Sequence, residues 1–327
     1  MNAKPLMPAA LHSMPFGPSI AETAGPGRAR EDCPKLTVVT PSYNQAEFLE
    51  ATLRSVLAQG YPNLEYFVID GGSSDGSVDV LKHYEPWLSG WVSEKDDGQT
   101  DAILKGLERA TGEWFNWINS DDLLAEGALN AVAEASADAD MIAGHVANFD
   151  ENGARGSVGG QNLNFEALLY DQLGGGAGWH QPGVWLRTDW LKAQPMDRSL
   201  HYRFDYEMML LYTLRQPRTV FLDDTLAHFR LHAGSKTVSV PERFRDEHQQ
   251  ILERLGQRPE LADRKDEIDL IRRKIAWRVR LENVLADAGR SRWQRMAQLR
   301  REAAEDPEAR KGKLLNRALR RLIISGR

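Results

Sequence analysis

The chain has 327 residues, of which 42% are hydrophobic and 27% are charged, as in an ordinary globular protein. The formal net charge of −6 argues against a general nucleic-acid binder, which usually carries a basic excess. Cys33 is the only cysteine, so an intrachain disulfide and a cysteine-based zinc site are excluded. No apolar run approaches the roughly 18 residues of a membrane-spanning helix. The proline-interrupted N-terminus also lacks the apolar segment of a secretory signal, and we expect a cytoplasmic protein.

Residues 1–34 are rich in Pro, Ala and Gly, which predicts a flexible leader. Strand and helix patterns then alternate four times with short connections. Strands are predicted at 35–40, 64–70, from 90 onward and at 113–119, and helices at 46–60, 78–87 and 99–111. This alternation is typical of a parallel sheet covered by helices. A helix over 123–140 and a strand over 141–149 are predicted to follow.

Each predicted strand of this sheet is followed by a polar loop. The loops are TPSYN (40–44), DGGSSDG (70–76), EKDDGQ (94–99) and NSDD (119–122). Ligands of parallel sheets bind beyond the carboxyl ends of the strands, so we expect the four loops to form one binding rim. The neighbouring charges of Asp121 and Asp122 need a positive partner, which can be a basic side chain, a helix N-terminus or a metal ion. Asp122 can alternatively cap a helix that begins at Leu123.

From about residue 241 the sequence changes to long charged helical stretches with few glycines, which predicts a main domain over 35–240 and a helical C-terminal extension over 241–327. Seven basic residues and no acidic residue lie between 310 and 327. The apolar residues there share one helical stripe, formed by Leu314, Leu315, Ala318, Leu319, Leu322 and Ile323. Such a basic amphipathic helix can bind an anionic membrane peripherally, or it can pack on its own domain or on a partner subunit.

The segments TVVTPSYNQAEFLEATLRSVLAQG, VIDGGSSDGS, SEKDDGQTDAILKG and EWFNWINSDD resemble the inverting family-two glycosyltransferases. The resemblance covers residues 36 to about 238, and the motifs follow in the order and at the spacing of the family. It implies the A-type glycosyltransferase fold, an α/β fold with a Rossmann-like nucleotide-binding part and a mostly parallel central sheet flanked by helices. It further implies a nucleoside diphosphate sugar as the donor.

The resemblance also assigns a metal site. In the family, the place of NSDD holds an Asp-any-Asp signature that binds a divalent cation, and here Asn119 replaces the first acid. Asp121 and Asp122 are the predicted ligands of Mg²⁺ or Mn²⁺, which prefer carboxylate oxygens. A histidine near the end of the resemblance can join them, and His232 is preferred to His228. Two nearby cations, Arg230 and Lys236, are candidates for contacts with phosphate oxygens.

The same resemblance places further residues at the nucleotide sugar. They are Thr40, Pro41, Tyr43, Asp70, Asp75, Asp96, Gln99, Asn119 and His180. Family members usually carry Asn before the lysine of the helix that follows the third loop, but Leu104 precedes Lys105 here, so a donor role of Lys105 is open.

Asp205 corresponds to the catalytic base of the family, although Phe204 replaces the Glu that usually precedes it. Inverting transfer needs one carboxylate to take the proton of the acceptor hydroxyl, and the cation neutralises the leaving group. The acceptor is expected to be a glycan or a lipid-linked glycan of a cell-surface polysaccharide, and no nucleic-acid partner is expected.

Two alternatives remain open at the level of the sequence. A nucleotidyltransferase also uses acidic residues and Mg²⁺, but PSYNQAEF lacks the basic residue that would hold a triphosphate. A non-catalytic binding or scaffold protein of the same fold is favoured by the departures at Leu104, Asn119 and Phe204.

Overall fold

A computed structural model describes residues 32–232, 241–305 and 313–324. Most of the predicted leader, together with Lys236 and the ends of the predicted basic segment, lies outside these ranges. The chain forms two compact units. The first comprises residues 1–168 and 176–241, and the second comprises residues 169–175 and 242–327.

The first unit is built on a nine-stranded mixed sheet. Its strands are β1 (Leu36–Ser42), β2 (Leu64–Asp70), β3 (Gly90–Ser93), β4 (Trp114–Trp117), β5 (Leu123–Leu124), β6 (Met141–Asp150), β7 (Gly153–Gly159), β8 (Val184–Arg187) and β9 (Thr219–Arg230). They lie in the order β3-β2-β1-β4-β8-β6-β9-β5, and β7 pairs with the later part of β6, from His145 to Asp150, beyond the residues that pair with β8.

The two halves of the sheet differ in strand direction. Strands β1 to β4 are all parallel, as the alternating pattern predicts. Beyond β4, the pairs β4–β8, β6–β8, β6–β7 and β5–β9 are antiparallel, and only β6–β9 is parallel. The sheet is therefore parallel in the half that resembles a nucleotide-binding fold and mixed in the other half.

Helices cover both faces of the sheet in the first unit. They are α1 (Ala46–Leu57), α2 (Ser77–Tyr84), α3 (Gln99–Arg109), α4 (Ala128–Ala135), α5 (Phe165–Leu169), α6 (Thr188–Lys192) and α7 (Phe204–Thr213). Leu36 and Val38 face the core with α1, α2 and α4. Val39 points to the opposite face, as the two-residue period of a strand requires. There it packs so closely on Gly106 of α3 that a Cβ atom would lie 2.5 Å from Val39 Cγ1.

The predicted helix over 123–140 is wrong in its first part. Leu123 and Leu124 form β5, which is buried and pairs antiparallel with β9, and α4 begins only at Ala128, after Gly127 with φ +76°. Asp122 therefore does not cap a helix at Leu123. Propensity alone favoured the helix, but the two leucines are buried where they pair with His228 and Ala227 of β9.

The second unit contains α8 (Pro241–Leu255), α9 (Lys265–Ala286), α10 (Arg292–Glu305) and α11 (Lys313–Ile324). Trp277, Leu281 and Val284 of α9 pack with Met296, Leu299 and Ala303 of α10. The predicted apolar stripe on α11 joins this cluster, with Ala318 and Leu322 buried and Leu315 and Leu319 partly buried. Of the two readings of the stripe, the structure thus shows packing within its own unit. No helix among the described residues is both long enough and apolar enough to cross a membrane.

Candidate active site

The first two rim loops are tied together by hydrogen bonds. The Asn44 N–H donates to Ser73 Oγ at 2.7 Å, and Asn44 Oδ1 accepts from the Ser74 N–H at 2.9 Å. Asp75 is exposed and accepts from the Ala46 N–H at 2.9 Å and from Ser77 Oγ at 2.7 Å. Desolvation tends to raise the pKa of Asp75, but these hydrogen bonds outweigh it and lower the pKa overall. Asp75 thus bridges the starts of α1 and α2.

The carboxylate of Asp70, at the end of β2, connects the second loop to the end of β3 through hydrogen bonds. It is fully buried, and its oxygens accept from the Gly72 N–H, from the N–H and hydroxyl of Ser73, and from Ser93 Oγ, at 2.6–3.1 Å. Asp96 lies directly on Gly71, where a Cβ atom would be 2.9 Å from Asp96 Oδ2. Burial raises the pKa of Asp96, and the negative charges of Asp101 and Asp70 add to the shift.

The end of β1 presents one exposed aromatic side chain. Thr40 and Pro41 are buried, and Thr40 Oγ1 lies 2.8 Å from the hydroxyl of Tyr66. Tyr43 is 62% exposed. Of these three residues, only Tyr43 presents its side chain to solvent, whereas the Thr40 side chain contacts Tyr66 of the neighbouring strand β2.

A chain of amide and carboxylate contacts follows β4. Gln99 Nε2 donates to Asn119 Oδ1 at 2.6 Å, and Asn119 Nδ2 donates to Asp122 Oδ2 at 3.1 Å. The other oxygen of Asp122 accepts from the Arg230 N–H at 3.0 Å. Asp122 is buried, and burial together with the charge of Asp121 raises its pKa well above the usual range. Both oxygens of Asp122 therefore have donors from the protein itself.

Asp121 and His232 form a half-buried pair beside this chain of contacts. His232 Nε2 lies 2.9 Å from Asp121 Oδ2, and the two side chains are 21% and 23% exposed. Arg230 Nε donates to the backbone carbonyl of Asp121 at 2.8 Å. The Arg230 guanidinium also lies over the rings of Phe48 and Phe149, at 4.9 and 4.5 Å. Burial lowers the pKa of Arg230, although the neighbouring carboxylates oppose the shift.

The donor set fits a hard divalent cation in part. Within residues 32–232, 241–305 and 313–324, no group of three His, Cys, Asp or Glu side chains is arranged to hold an ion. A carboxylate and an imidazole, as in the pair of Asp121 and His232, leave most coordination positions to diphosphate oxygens and water, which is the usual arrangement at nucleotide-bound Mg²⁺. Because its two oxygens already accept hydrogen bonds, Asp122 fits a ligand role less well than Asp121 does.

His180 stands where the chain returns to the sheet before β8. Its ring stacks on Phe229 with centroids 5.0 Å apart and an interplanar angle of 22°. Burial lowers the pKa of His180, so the neutral ring is favoured. Next to it, buried Gln181 donates to Asn116 Oδ1 at 2.8 Å and to the Trp117 carbonyl at 2.9 Å. These contacts fix this segment to the end of β4.

Asp205 lies in the first turn of α7, where its Oδ1 accepts from the Tyr206 N–H at 2.8 Å. The ring of Phe204 contacts Trp117 at the end of β4, with centroids 5.6 Å apart. The start of α7 therefore lies against the strand that leads into NSDD. The usual Glu of this position is replaced by a residue that packs on the sheet.

The loop before α7 is fastened to α3. The Arg198 guanidinium contacts the carboxylates of Asp101 and Glu108, and the Thr100 hydroxyl donates to the Leu200 carbonyl. Sequence reasoning did not single out Arg198. Its partners lie 97 and 90 positions away, and no local pattern indicates such a pairing.

A parallel half-sheet with an acidic rim and a mixed second half are the architecture of the A-type glycosyltransferase fold. Residues 37–191 match the family model described as glycosyl transferase family 2, so this part of the chain is a glycosyltransferase domain of that family. The resemblance seen in the sequence is thereby confirmed. The finding favours an enzyme over the scaffold and nucleotidyltransferase alternatives.

Two relatives illustrate the similarity. Glycosyltransferase GlyG of Streptococcus pneumoniae serotype 4 is 27% identical over 220 residues, which cover 61% of this chain and 72% of GlyG. The putative teichuronic acid biosynthesis glycosyltransferase TuaG of Bacillus subtilis is 38% identical over 92 residues, which cover 27% of this chain and 36% of TuaG. The match to TuaG is thus confined to about a third of that protein.

Solved structures support the fold. S. aureus TarS 1–349 in complex with UDP-GlcNAc superposes with a TM-score of 0.57 at 20% identity, over 75% of this chain and 72% of that chain. The Pyrobaculum calidifontis mannosyltransferase PcManGT in complex with GDP-Man and Mn²⁺ gives a TM-score of 0.51 at 19% identity, over 89% of this chain and 86% of that chain. At these identities the likeness confirms the predicted fold.

Proposed function

We propose that the chain transfers a sugar, with inversion, from a nucleoside diphosphate sugar to a hydroxyl of a glycan or lipid-linked glycan acceptor, with the help of a divalent cation. The observation that carries this proposal is the half-buried Asp121–His232 pair, which lies beside Arg230 at the end of the parallel half-sheet. Fold neighbours hold UDP-GlcNAc or GDP-Man with Mn²⁺, which supports the donor class. The name of TuaG supports a cell-surface polysaccharide as the product.

The nucleotide half of the donor is assigned to the rim loops. Tyr43 offers its exposed ring to the nucleobase, and Asp96 and Gln99 line the third loop. Three other predicted residues, Thr40, Asp70 and Asn119, act through hydrogen bonds that shape these loops. We assign Asp75 and Pro41 to the residues that shape these loops, and His180 to the part of the pocket that holds the sugar.

Asp121 and His232 would hold Mg²⁺ or Mn²⁺. Such a cation supplies charge neutralisation for the departing diphosphate. The Arg230 guanidinium, whose Nε is held by the Asp121 carbonyl, offers its remaining N–H donors to phosphate oxygens. Asp122 orients this group by fixing the backbone of Arg230 and the amide of Asn119.

Asp205 is proposed as the base. As the acceptor oxygen attacks the anomeric carbon from the face opposite the nucleotide, the carboxylate takes the hydroxyl proton. The packing of Phe204 on Trp117 fixes the first turn of α7, so that the carboxylate keeps its place during the reaction.

The test compares Asp205→Asn with Glu207→Gln, a carboxylate in the same helical turn. A thermal-shift panel of UDP, GDP and dTDP sugars with Mn²⁺ first selects the donor, because ligands of the folded state raise its melting temperature. We expect Asp205→Asn to cut turnover of that donor by ~10²-fold or more and to leave donor binding unchanged. Full turnover in Asp205→Asn, or an equal loss in Glu207→Gln, would remove Asp205 from the mechanism.

The division of labour between residues 35–240 as the catalytic domain and 241–327 as an extension stays a prediction, as do the cytoplasmic location and the peripheral membrane contact.

A further inference from the structure

The basic residues of the second unit fall into two groups. Residues 242–289 contain 11 Lys and Arg and 11 Asp and Glu. Many of these arginines are paired, as Arg264 is with Glu267 at 2.8 Å and Arg278 with Glu282 at 3.0 Å. Residues 290–327 contain 12 Lys and Arg against four Asp and Glu. The positive charge of this unit is therefore concentrated in its last 38 residues, where acidic partners are scarce.

The outer face of α10 combines this charge with an aromatic ring. Met296 and Leu299 are buried, whereas Trp293, Arg300 and Arg301 are exposed. Trp293 is 64% exposed, with the Arg292 guanidinium 5.0 Å from its ring centroid. Neither Arg300 nor Arg301 forms an ion pair with a carboxylate of the described residues.

The outer face of α11 has a similar character. Its apolar stripe is consumed by packing, since Ala318 and Leu322 are buried in the cluster with α9 and α10. Arg317 and Arg320 remain exposed, and Ile323 is 59% exposed one turn beyond Arg320. The buried stripe therefore cannot contact a membrane while the unit is folded. The exposed faces of the two helices, however, carry arginines together with single apolar side chains.

We propose that the exposed faces of α10 and α11 dock on an anionic lipid bilayer, with Trp293 in the headgroup region and the arginines on lipid phosphates. Tryptophan has an apolar body and one N–H donor, and therefore favours the boundary between water and lipid. Arginine binds phosphate through two parallel hydrogen bonds. The exposed Ile323 favours lipid over nucleic acid, since it finds an apolar environment only in a bilayer.

This inference assigns residues to the peripheral membrane contact proposed above. It depends on the proposed function in one respect, because a lipid-linked acceptor gives the enzyme a reason to bind a membrane. No residue of the proposed active site takes part. The experiment below uses no donor, so its failure leaves the glycosyltransferase activity untouched, and a failure of that activity leaves the surface testable.

Flotation of the full chain with vesicles tests the proposal. We expect the chain to float with phosphatidylcholine vesicles that contain phosphatidylglycerol and to stay behind with phosphatidylcholine alone. Added salt should weaken the binding, because it screens the charges of arginine and lipid. Equal behaviour with the two vesicle types would overturn the proposal.

Two variants locate the surface. Arg300→Gln with Arg301→Gln, and separately Trp293→Ser, should each weaken binding to the anionic vesicles about tenfold or more. Arg218→Gln, which changes an exposed arginine of the first unit, is the control and should bind as the wild type does. The melting temperature of each variant should equal that of the wild type, because the changed side chains are exposed. Retained vesicle binding in both variants overturns the assignment. The assignment is also overturned if the chain binds RNA but not vesicles, or if the chain self-associates and Trp293→Ser abolishes this self-association.

Discussion

His232 Nε2 lies 2.9 Å from Asp121 Oδ2, although 111 positions of sequence separate the two residues. The register of the antiparallel pair of β5 and β9, with Leu123 opposite His228, brings them together. Asp121 precedes the short strand and His232 follows the long one, so both side chains leave the sheet at one place. The mixed half of the sheet thus completes a site that the parallel half begins.

Asp121→Asn should weaken the binding of UDP or GDP in the presence of Mn²⁺ about tenfold or more, because the charge that attracts the cation is lost. Binding in EDTA should be the same in the variant and the wild type. Calorimetry with and without Mn²⁺ measures both. Asp79→Asn, at an exposed carboxylate on α2, is the control and should bind as the wild type does. Identical affinities for the wild type and Asp121→Asn under all conditions would show that the cation site lies elsewhere.

Asn119 stands where the family has an acid, and its contacts suggest a reason. Its amide donates to buried Asp122 and accepts from Gln99. In Asn119→Asp, the amide that donates to Asp122 is replaced by a carboxylate, which lies beside the buried carboxyl group of Asp122. We expect a loss of about 1–3 kcal/mol in the free energy of unfolding at neutral pH. Asn152→Asp in the exposed turn between β6 and β7 should change little. Urea denaturation decides, and a fully stable Asn119→Asp would show that Asp122 does not require this donor.

The parts of the fold that the sequence predicted are those with local signals. β2 was placed at 64–70 as observed, because a segment rich in aromatic and β-branched residues lies between turn residues, and α3 was predicted from its starting residue Gln99 onward. The two-residue strand β5 is too short for any periodicity and depends on β9, about 100 positions later. The burial of Asp122 depends on the same pairing, so the sequence alone did not separate its role from that of Asp121.

Arg198 shows the same limit, and it gives a further prediction. Its guanidinium joins Asp101 and Glu108 of α3 to the loop that leads into α7. In Arg198→Ala this loop loses its fastening, and we expect kcat to fall about tenfold with a small change in the donor KM, since displaced catalytic groups lower turnover. Arg198→Lys, which can keep one of the two ion pairs, should restore part of kcat.

The control for this positioning role is Arg155→Gln, which breaks an exposed ion pair with Asp150 in the β6–β7 hairpin. Steady-state kinetics with the selected donor provides the measurement. A change of KM alone in Arg198→Ala would assign Arg198 to donor binding, and unchanged kinetics would leave it without a role in catalysis.

Glu65 gives a prediction about pH, at the end of the sheet where β1 and β2 begin. Its carboxylate, 10% exposed, accepts from Lys35 Nζ at 2.8 Å, from Thr37 Oγ1 at 2.7 Å and from the N–H and hydroxyl of Thr111 at 2.7 and 2.8 Å. Burial tends to raise the pKa of Glu65, but these donors outweigh it and hold the pKa below the ordinary 4.5. A lowered folded-state pKa stabilises the protein above the unfolded value, and this stability is lost as the pH falls through the folded value.

Glu65→Gln should therefore lower the free energy of unfolding by about 1–3 kcal/mol near pH 7, because a buried charged acceptor is replaced by a neutral amide. The difference from the wild type should shrink as the pH falls from 4.5 through the lower folded-state pKa of Glu65, because the carboxylate is protonated first in the unfolded chain and then in the folded protein. Urea denaturation at a series of pH values measures it. Glu113→Gln, at a carboxylate that is 59% exposed and 3.8 Å from Arg187, should show no such trend. A difference that stayed constant with pH would mean that packing of the Glu65 side chain, and not its charge, stabilises this end of the sheet.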